Sequence, residues 1–296
     1  MVGDVRRGRL MSRRRSRSTT ILAWATGVAV LVAILVAVFA VTAIRPTAGS
    51  QIEVSPTLLP AASSTRIGQR PSPVSPLHVV GIGDSVMAGT NCNCATITTG
   101  FAHALADRTG RTVTATNLGV AGYTTSDLRD QLRQDANARK EVANADILIV
   151  IIGANDLGGA LDSWNQGGCS ASCYQPQVDA MGTRLASILR LVTSLRAGQP
   201  MTVLVDNYWN VFTDGAVARA DGGQERIDWS VEVTQAANVA IAKAANSSGD
   251  LTVDLVKPFK NGGDEDPTPL LADDGDHPNA AGVRAIVAAN IAATPA

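Results

Sequence analysis

A serine, an aspartate and a histidine in this 296-residue chain have the types and spacing for nucleophilic acyl chemistry. Ser85 closes Gly83-Asp84-Ser85, at the end of an apolar run. A serine hydroxyl is a weak nucleophile until a base removes its proton. The chain has three histidines. His78 begins the apolar run and His103 falls in a predicted helix, neither well placed to activate Ser85; the third is His277. It stands in Asp273-Asp274-Gly275-Asp276-His277-Pro278-Asn279, three residues after Asp274, and one tight loop would fix both side chains. Asp273 and Asp276 compete with Asp274 from other spacings. Two further polar clusters end apolar runs: Asn117-Leu118-Gly119-Val120-Ala121-Gly122 and Gly153-Ala154-Asn155-Asp156. Glycine lets a backbone N–H approach closely, and an asparagine amide donates without adding a titratable charge. Asp84 and Asp156 read as hydrogen-bonding supports of their loops.

Elements of a regular kind must position these residues. Apolar, β-branched runs at 77–82, 112–117, 147–152, 202–206 and 251–255 predict strands. Helical patterns at 100–108, 125–142, 231–246 and 280–292 alternate with them. Val178, Met181, Leu185, Ile188, Leu189, Val192 and Leu195 mark one face of another helix. Alternating strands and helices predict an α/β domain, a three-layer α/β/α sandwich on a flavodoxin-like parallel five-stranded sheet of order 2-1-3-4-5. Ligands bind at the carboxyl ends of such strands. The clusters at 83–85, 117–122 and 153–156 fall at the ends of strands one to three. The Asp274–His277 cluster falls between the fifth strand and the last helix.

This ordered set resembles the SGNH hydrolases, also called the GDSL family. Four blocks match in order: Gly-Asp-Ser-Val-Met-Ala-Gly from Gly83, Asn-Leu-Gly-Val-Ala-Gly from Asn117, Gly-Ala-Asn-Asp from Gly153 and Asp-Gly-Asp-His from Asp274. Val86 stands where leucine is commoner. The resemblance spans 77–296 and implies the SGNH fold and a serine esterase working through an acyl-serine intermediate, with no metal or organic cofactor. It implies Ser85 as nucleophile, His277 as base and then acid, and Asp274 as the carboxylate orienting the imidazole. The oxyanion hole would comprise the Ser85 and Gly122 N–H groups and the Asn155 amide, with Gly119 the alternative to Gly122. The substrate would be a small-molecule or glycan ester. The rival readings are an acyltransferase or deacetylase acting on cell-envelope polysaccharide, and a non-catalytic binding domain of the same fold.

The formal net charge of −1 averages unlike regions. Residues 1–18 carry seven arginines and one aspartate, whereas 77–296 is acidic, which excludes nucleic acid as a partner of the globular part. The 26 uncharged residues at 19–44 suffice to span a bilayer as a transmembrane signal-anchor. The basic flank would stay in the cytoplasm and the catalytic domain would face outward. Cleavage after Val41-Thr42-Ala43 would instead secrete it. Residues 45–76, with six prolines, read as an extended linker. All four cysteines, Cys92, Cys94, Cys169 and Cys173, lie in the outward domain, where disulfides persist; a zinc site fits the spacing but not the compartment. Three pairings exist. The loops at 90–99 and 157–175 should rise beside Ser85, and disulfides are expected to stiffen this rim, either within each loop or by tying the two together; a Cys92–Cys94 ring would be very small. Trp164, Tyr208 and Trp209 are candidates for the substrate groove or for plain packing.

Overall fold

In the computed structural model, which describes residues 52–54 (as backbone), 75–263 and 265–295, the apolar run Ile147–Ile151 is buried at every position. Only a strand covered on both faces needs five such residues in succession. It is the fourth of six strands: β1 (Ile52–Val54), β2 (Leu77–Gly83), β3 (Val113–Asn117), β4 (Ile147–Ile151), β5 (Thr202–Asp206) and β6 (Leu251–Val253). They are ordered β1-β3-β2-β4-β5-β6. The five from β2 to β6 pair in parallel in the expected 2-1-3-4-5 order. The sixth was not expected: Ile52–Val54, within the sequence read as linker, pairs antiparallel with β3, Glu53 opposite Thr114. The basic terminus, the proposed membrane span at 19–44 and most of the linker lie outside the described residues. No helix among the described residues is long and apolar enough to cross a membrane.

Nine helices are described: α1 (Ser85–Ala88), α2 (Ile97–Thr109), α3 (Thr125–Gln134), α4 (Ala136–Asn144), α5 (Gly158–Asn165), α6 (Ala171–Arg196), α7 (Gly215–Ser248), α8 (Val256–Lys260) and α9 (Ala280–Ala293). Helices α2 and α9 pack together as one layer; α3 and α4 pack against α6, and α6 against α7, as the other. The expected helix at 125–142 is two helices. Asp135 ends α3 and caps α4, its Oδ1 accepting the Asn137 and Ala138 amides. Helix α7 starts well before the expected 231 and is bent at Gly223 (φ 65°, ψ −164°).

The carboxyl ends of the strands are locked together where the polar clusters begin. The Asp84 amide donates to Ile151 O (3.0 Å), and the Val120 amide to Gly83 O (3.0 Å). Gly83 has φ +150°, and a Cβ there would lie 1.9 Å from Ile151 O. No other residue type fits between β2 and β4 at the point where the chain turns toward Ser85.

Candidate active site

Asp84 turns the chain from β2 into α1. Its Oδ1 accepts the Val86 amide (3.0 Å), the usual capping bond at a helix start. That bond leaves the Ser85 amide without a partner among the described residues. Asp84 Oδ2 accepts the Tyr208 hydroxyl at 2.5 Å. Burial pushes the Asp84 carboxyl up to about 7, against the Tyr208 and Val86 hydrogen bonds that lower it. Burial, then the adjacent Asp84, drives the Tyr208 hydroxyl well above the ordinary tyrosine range. Through these two bonds Asp84 supports the loop that carries Ser85, as expected.

Ser85 is half-buried and lines a cavity of about 210 Å³ together with Asn155, Asp276 and His277. His277 is held by a tightly bonded loop. The Ala272 amide donates to His277 O (2.8 Å), and Asn279 caps α9 immediately afterwards. Asp274 Oδ1 accepts the amides of Asp276 (2.9 Å) and His277 (3.0 Å), and Oδ2 faces His277 Nδ1 at 2.7 Å. Burial raises the Asp274 carboxyl, but these amides, the Asn91 amide and the imidazole outweigh it and hold it well below the usual carboxylate range. Asp276, the competitor, has its nearest oxygen 4.0 Å from the same ring nitrogen, and burial raises its carboxyl. Geometry therefore favours Asp274. No hydrogen bond joins Ser85 to His277 among the described residues; such bonds often tighten only in the complex with substrate.

The two glycines of the second cluster separate by their bonding. The Gly119 amide is used on Asn117 Oδ1 (3.0 Å), and a Cβ at Gly119 would lie 2.6 Å from Ala88 N. Gly119 is therefore a packing position. The Gly122 amide has no partner among the described residues, and Gly122 turns with φ +81°. Asn155 Nδ2 gives one hydrogen to Tyr123 O (2.9 Å), which fixes the amide beside Gly122 and keeps its second hydrogen available. Asp156 braces the same loop, accepting the Thr125 amide (2.7 Å) and an Arg184 guanidinium N–H (2.6 Å).

The cysteines pair within their loops: Cys92 with Cys94, and Cys169 with Cys173. The tie between loops does not form, because each partner already lies within disulfide reach, at Cα separations of 5.1 and 5.2 Å. Each bridge still serves the rim. Asn91, beside the first, donates to Asp274. Cys169 O, in the second, accepts the Trp229 indole N–H at 2.7 Å. Trp164 stacks on Trp229 (4.7 Å) and does not line the cavity, whereas Tyr208 and Trp209 do. Arg226 also lines it, from α7, and no motif signalled that.

The profile of the GDSL-like lipase/acylhydrolase family matches residues 82–285, and the chain belongs to that family. Its fold is similar to that of the lipase Lip_vut3 from a goat rumen metagenome (15% identity, TM-score 0.60, 73% of this chain and 97% of that one). A putative GDSL-like lipase from Parabacteroides merdae is similar too (16% identity, TM-score 0.53, 76% of this chain and 99% of that one). So is a catalytic mutant of Axe2, an acetylxylan esterase from Geobacillus stearothermophilus (18% identity, TM-score 0.51, 75% of this chain and 95% of that one). No curated protein sequence matches the chain. Family and fold together define an ester hydrolase.

Proposed function

We propose that the chain hydrolyses short acyl esters, of small molecules or of glycans, by a serine nucleophile on the outer side of a membrane. The observation that carries the chemistry is the Asp274–His277 pair, 2.7 Å apart, on the wall of the cavity that Ser85 lines. The imidazole, oriented by Asp274, takes the Ser85 proton as Oγ attacks the ester carbonyl. The tetrahedral oxyanion is met by the Ser85 and Gly122 amides and the free hydrogen of Asn155 Nδ2. His277 then protonates the leaving alcohol. Water, deprotonated by the same imidazole, attacks the acyl-serine and releases the acid. A cavity of about 210 Å³ suits a small acyl group, and the acetylxylan esterase of similar fold makes acetylated saccharides the first glycans to try. The outward location rests on the basic start and the uncharged run at 19–44.

The test is turnover of 4-nitrophenyl acetate by the full chain and by Ser85→Ala. Turnover by the wild type and none by the variant is expected. Unchanged turnover by the variant would remove Ser85 from the mechanism.

A further inference from the structure

The loop that carries Asp274 and His277 is bonded mostly to itself. The Gly275 amide donates to Ala272 O (2.9 Å), the Ala272 amide to His277 O (2.8 Å), and the Asp276 and His277 amides to Asp274 Oδ1. Such a loop is stiff inside, yet its place beside Ser85 must be set from outside. Among the described residues, two hydrogen bonds reach 272–277 from elsewhere in the chain. One is the Asn91 side-chain amide on Asp274 Oδ2. The other is the Asp214 backbone N–H, which donates to Gly275 O at 2.7 Å. The approach is close: a Cβ at Gly275 would lie 2.5 Å from Val217 Cβ and 3.1 Å from Asp214 O.

Asp214 is itself clamped. It caps α7, Oδ1 accepting the Gly215 amide (2.7 Å). Oδ2 accepts the Asn210 side-chain amide at 3.1 Å and pairs with Lys260 Nζ at 2.5 Å. Both partners of this ion pair are buried, with 3% of the Asp214 and 6% of the Lys260 side chain exposed. Removing one partner of a buried pair leaves the other charge uncompensated, and residue 214 would then gain by shifting toward water. Asn210 lines the cavity that Ser85 lines. The clamp therefore runs from Lys260, at the end of α8, to the cavity wall and to the Asp274–His277 loop. Neither Lys260 nor Asp214 belongs to any of the four motif blocks.

We propose that the Lys260–Asp214 ion pair is a positioning device for His277: it holds the Asp214 amide against Gly275 and so sets where the Asp274–His277 loop stands relative to Ser85. The inference rests on the hydrolase reading of the cavity and adds two positioning residues to it. Misplacing a reacting group by about 1 Å can cost roughly 10²-fold in rate, so a clamp far from the substrate can govern turnover.

The experiment uses the full chain and two variants. Lys260→Met keeps the length of the stem and removes the charge. Lys260→Met with Asp214→Asn removes both charges, a change that is often neutral for stability. With 4-nitrophenyl acetate, Lys260→Met should lose about tenfold or more in kcat while KM hardly changes. The double variant should keep most of that loss. A wild-type kcat in Lys260→Met, or a kcat restored in the double variant, would reduce the pair to charge balance and overturn the proposal. Should Lys260→Met fail to fold, the double variant decides alone. A second reading needs no turnover, because the chain has only three histidines. With 13C-labelled histidine, the ring signal of His277, identified by its loss in His277→Gln, should shift in the variants while those of His78 and His103 stay in place. A His277 signal identical to wild type overturns the proposal even where activity falls. Should the wild type turn over no ester, the hydrolase reading fails separately, and this signal decides whether the pair sets the position of the loop.

Discussion

The side-chain amide of Asn91 lies 2.5 Å from Asp274 Oδ2, the same oxygen that faces His277 Nδ1 at 2.7 Å. A residue in the loop after Ser85 thus grips the carboxylate of a loop 183 residues away. Asn91 reaches it from a left-handed backbone conformation (φ 57°) that asparagine tolerates better than most residues. The contact joins the Ser85 loop to the Asp274–His277 loop through a residue outside all four motif blocks.

Removing that grip should cost turnover. Asn91→Gly deletes the amide while keeping the left-handed turn, and kcat should fall about tenfold, the scale of a hydrogen bond to a charged group. KM for a short ester should hardly change. A kcat equal to wild type would make the contact incidental.

Asn155 should matter to the transition state far more than to the fold. Its side chain is exposed and donates to one carbonyl, Tyr123 O. Asn155→Ala should lower kcat by about 10²–10³, the typical effect of losing an oxyanion donor, with little change in melting temperature. A loss in melting temperature without a loss in kcat would reverse the assignment.

Asp84 gives a stability signature with a definite sign. Its folded pKa is raised from 3.8 to about 7. The native state therefore holds a proton that the unfolded chain releases between those values. Its contribution is full below pH 3.8, declines as pH rises through the interval and is lost above about pH 7. Asp84→Asn keeps the shape and cannot ionise. The melting temperature of wild type relative to this variant should drop between pH 5 and pH 8; a parallel pair of curves would refute the buried, protonated Asp84.

Peptide mapping without reduction should find Cys92 joined to Cys94 and Cys169 to Cys173. Replacing the first pair by serine should lower kcat, because it frees the segment that presents Asn91. Replacing the second should chiefly lower the melting temperature, because Cys169 O anchors Trp229. A peptide linking the two loops would contradict the local pairing.

What could be read from the sequence, and what could not, follows from the range of the interactions. The buried run Ile147–Ile151 and the clusters at strand ends are local signals, so the parallel order was legible, as was the meeting of Ser85, Asn155 and His277 at one cavity. The break at Asp135 was legible in principle, as an aspartate capping a new helix, but the apolar spacing on both sides disguised it. Strand β1 is three residues long, and its backbone partner Thr114 is distant in sequence, so its composition still read as linker. Which of Gly119 and Gly122 keeps its amide unpaired depends on which one Asn117 occupies. Arg226 lines the cavity from α7, which bends at Gly223, and neither the bend nor that burial is visible in a string of letters.

Strand β1 also changes where the catalytic domain can be cut. A recombinant fragment beginning at Leu77 would strip the outer flank from β3 and leave the backbone groups that face Ile52–Val54 open to solvent. Bare strand edges recruit other chains. A start before Gln51 keeps that flank covered, and light scattering of the two fragments at equal concentration would show the shorter one self-associating.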